Sequence, residues 1–138
     1  MAMTVEQAWE LSRAESGLAV VSTLRADQTI QSSLVNTGII QRDAPVLAFV
    51  TYGKVKLANL RARPQLTVTF RSGWQWAAVE GRAEVVGPEA GAEALRLLLR
   101  EIFSAAGGTH DDWDEYDRVM RDQGRVAVLI TPARVYAN

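Results

Sequence analysis

Between Leu18 and Val86 the chain carries five β-branched or apolar runs, "LAVVSTLRAD", "TIQSSLVNTGII", "APVLAFVTY", "QLTVTFRSG" and "WQWAAVEGRAEVV", and most of the joints between them are too short to hold a helix. Strands joined by tight turns pair antiparallel, because a parallel pair needs a crossover of about a dozen residues or more. The first two runs close on Asp27 and Gln28 and read as a hairpin. In the second, Ile30, Ser32, Leu34 and Asn36 share one face, and Gln31, Ser33, Val35 and Thr37 the other. Neither face is purely apolar, which suits a strand whose polar groups line a pocket. "APVLAFVTY" is apolar on both faces and reads as a buried strand. "QLTVTFRSG" alternates strictly, with Leu66, Val68 and Phe70 on one side, and Gly81 in the next run marks a bulge or a close approach.

Helical patterns surround these strands. Thr4 and Gln7 have capping-box spacing, and Val5, Ala8, Trp9 and Leu11 recur at helical intervals, so a helix is expected over residues 4–15. After Gly53, "VKLANLRA" reads as a short helix stopped by Pro64, with Val55, Ala58 and Ala62 forming one stripe and Leu57 and Leu60 beside it. Two more helices are expected, one from Pro88 to the "GG" pair and one from Asp111 carrying Trp113, Tyr116, Val119 and Met120. "GRVAVLITPARVYAN" is a sixth, closing strand. Six strands in so short a chain favour a small, mainly β (α+β) antiparallel barrel with flanking helices. The expected organisation is a single domain over residues 1–138, a helix at 4–15 and a barrel at 18–137. A Rossmann layout is disfavoured, since strands do not alternate with helices and no G-x-G-x-x-G occurs.

Composition narrows the chemistry. With 138 residues, 48% apolar and 22% charged, the chain has the make-up of one globular domain. No apolar run reaches the roughly 18 residues of a membrane span, and "MAMTVEQAWELSRAE" lacks a basic leader before an apolar stretch, so a cytoplasmic protein is expected. No cysteine is present and His110 is the single histidine, which excludes thiolate metal sites, cysteine nucleophiles and three-histidine metal centres. His110 stands in "GGTHDDWDEY", where a solvated surface role outweighs that of a catalytic base. The acidic residues beside it have the wrong spacing for an EF-hand and read as a solvated helix start. No catalytic side chain is therefore nominated.

Charge is unevenly spread. No acidic residue occurs between Asp43 and Glu80, whereas Lys54, Lys56, Arg61, Arg63 and Arg71 all do, and the two lysines are the only ones in the chain. Both stand where a strand turns into a helix, and cations are disfavoured at helix starts unless an anion sits beside them. In such a turn they can converge, with free backbone N–H groups and Thr51, on a compact dianion such as a phosphate monoester. A solvated basic face is the competing reading. Nucleic-acid binding is disfavoured by the net charge of -1 and the lack of a second basic patch. Trp74, directly after "SG", is placed either to stack on a planar ring or to pack its own loop; Trp76 reads as core or dimer packing.

"TYGKVKLANLRARP" followed by a strand, "GWQWAAVEGRAEV", and the late "HDDWDEYDRVM" and "GRVAVLITPARVYA" together resemble the pyridoxamine 5'-phosphate oxidase-like split β-barrel superfamily, and within it the F420-dependent flavin/deazaflavin oxidoreductases (branch B) of actinobacteria. The resemblance implies a six-stranded antiparallel split β-barrel, also called the FMN-binding split barrel. It further implies a homodimer with a cofactor in each groove between subunits. Under it, Lys54 and Lys56 match the positions that grip the cofactor phosphate, with Thr51 at the end of the preceding strand. Gln31, Ser33 and Asn36 match the strand beside the ring system, and Trp74 matches a tryptophan at the mouth of the groove. The implied activity is hydride transfer from coenzyme F420 to a planar conjugated small molecule, with FMN as the alternative cofactor and non-catalytic binding of F420 or haem as the alternative role. Lys54 stands where relatives often have arginine, keeping the charge and losing the bidentate fork, and Leu34 stands where a polar residue is common.

Overall fold

The structure is a computed structural model, and it describes residues 3–138. Six strands form a closed barrel: β1 (Leu18–Leu24), β2 (Ile30–Gln41), β3 (Pro45–Thr51), β4 (Gln65–Ser72), β5 (Gln75–Val86) and β6 (Val126–Ala137). All neighbours pair antiparallel in the order β1-β2-β3-β6-β5-β4, with β4 returning to β1. Closure leaves no open sheet edge. The β1–β2 turn forms where expected, with Gln28 in the left-handed region at φ 71° and Asp27 Oδ1 accepting from the Thr29 amide at 3.0 Å.

Alternation places Val21, Val35, Leu47, Phe49, Val68, Phe70, Val79 and Val128 in one core inside the barrel. Two helices plug its openings. Helix α1 (Val5–Glu10) is capped by the expected Thr4/Gln7 box and inserts Trp9, whose Nε1 donates to the Thr37 carbonyl at 2.9 Å. It is shorter than the pattern suggested. A tighter turn over Arg13–Glu15 replaces its second half, ending at Ser16 and Gly17, both with positive φ. Helix α2 (Lys54–Ala62) contributes Leu57 and Leu60 from the other side.

A second apolar layer lies outside the barrel. Helices α3 (Ala92–Ala105) and α4 (Trp113–Asp122) cover the outer face of β2, β3 and β6, packing Leu95, Leu99, Ile102 and Tyr116 on Ile40, Ala48 and Ala127. Strand β3 is thus buried on both faces, as its composition implied: Leu47 and Phe49 point into the barrel and Ala48 lies beneath the helices. Gly38 sets the approach of α3, since a Cβ there would lie 2.7 Å from the Ala105 carbonyl carbon. The helix expected from Pro88 is divided: Pro88–Ala90 forms one tight turn, Gly91 breaks the chain direction at φ 103°, and α3 follows. Gly81 occupies the expected irregularity, where the β5–β6 register shifts and a Cβ would meet the Thr131 carbonyl at 2.5 Å.

Candidate functional site

Strand β3 ends at Thr51, and after Tyr52 and Gly53 α2 begins at Lys54 with no side-chain cap and no acidic residue in its first turn. The leading N–H groups of a helix have no partner within it. The opening turn of α2 therefore presents donors and no negative charge.

Lys56 folds back beneath this turn. It is only 6% exposed, and its Nζ donates to Thr51 Oγ1 at 3.3 Å and lies 5.7 Å from the centre of the Phe49 ring. Thr51 Oγ1 also accepts the Gly53 amide at 3.2 Å. Accepting both bonds leaves the Thr51 hydroxyl proton to donate elsewhere. No carboxylate pairs with Lys56 among the described residues, and burial alone lowers its pKa from the usual lysine value. A buried cation lacking a counter-ion is costly, so the position is primed for an anion.

Lys54 behaves differently. It opens α2 and is exposed, so the two lysines lie on different sides of the first turn and do not converge in the unliganded chain. The face of α2 also departs from the expected stripe. Val55 is 53% exposed and Ala58 and Ala62 are exposed, while Lys56, Leu57, Asn59 and Leu60 are buried. Polar residues occupy the inward face because they meet polar partners: Asn59 Nδ2 donates to Thr23 Oγ1 at 3.0 Å, and Thr23 in turn donates to Gln31 Oε1 at 3.2 Å. Arg63 extends the chain, donating to the Leu24 carbonyl at 2.9 Å. Thr23 and Asn59 were not singled out from the sequence, although Asn59 stands three residues after Lys56 and so shares its helical face.

Gln31 and Ser33 share the half-buried face of β2, as alternation required. Gln31 is engaged with Thr23, whereas Ser33 Oγ is the one buried side-chain polar atom without a hydrogen-bond partner among the described residues. Asn36 lies on the opposite, outer face, where its Nδ2 donates to the Ser16 carbonyl at 3.2 Å. There it lines a groove of about 270 Å³ with Val50, Phe103, Tyr116 and Arg125. Arg125 stacks over Tyr52, 4.3 Å from the ring centre, and so ties this groove to the segment that leads into α2. Trp74 is not drawn into the cluster. It projects from the β4–β5 turn at 94% exposure, and only its carbonyl is held, by Asn138 Nδ2 at 2.9 Å. Trp76 packs edge-on against Tyr136 at 6.2 Å.

These donors can hold a phosphate, while the unpaired Ser33 hydroxyl faces the barrel interior across from Val21. Among the described residues no cluster of three or more His, Asp or Glu is placed to hold a metal, and no helix is long and apolar enough to cross a membrane.

Solved structures share this architecture. A conserved hypothetical protein of Mycobacterium tuberculosis superposes with TM-score 0.71 at 19% identity, covering 99% of this chain and 85% of that one. A pyridoxamine 5'-phosphate oxidase-related, FMN-binding protein of Nostoc punctiforme does so with TM-score 0.67 at 11% identity, covering 99% and 86%. An F420 reductase matches with TM-score 0.62 at 20% identity, covering 99% and 98%. At these identities the likeness is one of fold, and the fold is the six-stranded split barrel. The pyridoxamine 5'-phosphate oxidase family itself matches residues 5–138, nearly the full chain, and the protein belongs to that family.

Proposed function

We propose that the chain is a homodimeric oxidoreductase that holds coenzyme F420 by its phosphate at the start of α2 and reduces a planar, conjugated small molecule by hydride transfer. Lys56 carries this reading: a buried ammonium with Thr51 as its hydrogen-bond partner and no carboxylate beside it. A phosphate at this turn would pair that charge and accept from Thr51 Oγ1–H and the free amides of α2. Lys54 would add a second charge from the solvent side.

The cofactor, when bound, supplies the hydride chemistry. The chain's own residues bind, orient and exclude water. Asn36 would meet a polar edge of the ring system from the outer groove, whereas Ser33, on the inward face of β2 across from Val21, is not assigned to the ring. The second wall of that groove is assigned to a partner subunit. An exposed apolar patch supports such a partner: Ile30 and Leu34 on β2 are 66% and 64% exposed, and Leu34 lies directly across from Val20 of β1, also exposed. Trp74, exposed at its turn, would close the mouth of a groove in the dimer.

F420 is preferred to FMN because its tail extends negative charge beyond the phosphate, and Arg61 and Arg71 remain exposed to meet it. Arg63 is committed to Leu24 and Asn59 and is not assigned to the tail. Comparative titration of F420 and FMN by tryptophan fluorescence tests the assignment. F420 is expected to bind more tightly, with about 1–3 kcal/mol lost in each of Lys54→Ala and Lys56→Ala. Steady-state oxidation of reduced F420 across a panel of planar acceptors separates an enzyme from a carrier. Tighter binding of FMN would replace the cofactor, and unchanged affinity in both lysine variants would remove the site.

A further inference from the structure

A mainly apolar cavity of about 420 Å³ lies between α3 and α4, away from Thr51, Lys54 and Lys56 and adjoining the groove at Asn36. Pro88, Leu95, Leu99, Tyr116, Met120 and Val126 line it. It persists because α4 seals its own apolar stripe poorly: Tyr116 is buried, while Trp113, Val119 and Met120 are only half-buried. The volume lies within the range of small-molecule pockets.

Its rim has a defined charge. Asp117 and Glu93 are both neutralised: Asp117 by Arg96 at 3.2 Å and by Arg100, which hold its carboxyl below the usual aspartate range, and Glu93 by Arg96. Arg121 and Arg125 face the same cavity and form no ion pair with any carboxylate among the described residues. Tyr116 does not compete for a ligand, since its hydroxyl already donates to the Leu99 carbonyl at 3.0 Å. The cavity therefore combines an apolar interior, paired acids and two guanidinium groups on one side that have no carboxylate partner, Arg125 resting over Tyr52 with its Nε donating to Gln123 Oε1 at 2.6 Å.

We propose that this cavity binds an apolar monocarboxylic acid, with the hydrocarbon body between α3 and α4 and the carboxylate on Arg121 and Arg125. Guanidinium is suited to this role because its planar fork matches a carboxylate. Tyr116, Met120 and Arg125 also form the near wall of the groove at Asn36, so an occupant sits one side-chain layer from the proposed cofactor groove. The site itself does not depend on a cofactor being bound.

Octanoate, octanol and octylammonium are the probes, titrated calorimetrically into the full chain. Octanoate is expected to bind at least tenfold more tightly than octanol, and octylammonium not at all. Arg121→Gln, an exposed change that leaves packing alone, is expected to lower octanoate affinity five- to tenfold and leave octanol unaffected. Met120 is one of only three methionines, so its labelled methyl signal reports location and is expected to shift with octanoate. Equal affinity for octanoate and octanol, no effect of Arg121→Gln together with Arg125→Gln, a silent Met120 methyl, or no binding of any probe would each overturn the proposal.

Discussion

Lys56 concentrates the chemistry of this chain at one atom. Its pKa is lowered by burial, so between that lowered value and the ordinary lysine value the unfolded chain binds more protons than the folded one, and stability rises with pH across that interval. Below that interval the ammonium is present in both states and its burial opposes folding in full. Lys56→Met should therefore raise the melting temperature of the unliganded protein by about 3 °C per kcal/mol of penalty removed and flatten the alkaline rise in stability, while weakening phosphate binding by about 1–3 kcal/mol. A melting temperature that falls in Lys56→Met would mean that the Thr51 contact outweighs the burial penalty. The spacing of Lys54 and Lys56 was visible in the sequence, as was the absence of nearby acids. Which lysine would be buried was not, because that depends on Thr51 and Phe49 of the preceding strand receiving one of them. Ser33 was named through the family resemblance, alternation giving only its face, and its unmet hydroxyl is a property of packing that no local pattern records.

At the scale of elements, β-branched and apolar runs bounded by turn residues were enough to place the six strands, with strict alternation in β4 and a doubly apolar run in β3. Helix α2 shows where such reasoning fails. Its apolar residues suggested a stripe through Val55 and Ala58, but the inward face carries Lys56 and Asn59, because Asn59 finds Thr23 there and the apolar alternatives are small or replaceable. Asn59→Leu is expected to destabilise by about 1–3 kcal/mol by leaving the buried Thr23 Oγ1 without its donor, and chemical denaturation would measure it; an unchanged midpoint would show that water replaces the amide. The fit of α3 on β2 is a second element-level test. Gly38→Val places a side chain against the Ala105 backbone and should cost about 1–3 kcal/mol. Gly107→Ala, with open space around its Cβ and a positive φ of 94°, should cost only the backbone strain of about 1–2 kcal/mol.

Across the whole molecule, the barrel was legible because turn lengths forced antiparallel pairing and closure disposed of the edges, whereas the grooves were not, since they arise between elements distant in sequence. The groove at Asn36 joins β2, β3, α3, α4 and Arg125, and the larger cavity joins three segments after Gly87. The exposed pair of Leu34 and Val20 is a molecular-scale feature as well: if the proposed dimer forms through it, Leu34→Glu is expected to yield a monomer in light scattering and to weaken binding of the proposed cofactor with it. The most direct measurement of the phosphate assignment is nitrogen NMR of the lysine ammonium groups, which this chain permits because it has only two. With F420 added, the buried Lys56 signal is expected to shift and its pKa to rise from the lowered value of the free protein, as a counter-ion arrives beside it. A Lys56 signal and pKa unmoved at saturating F420 and at saturating FMN would contradict the assignment.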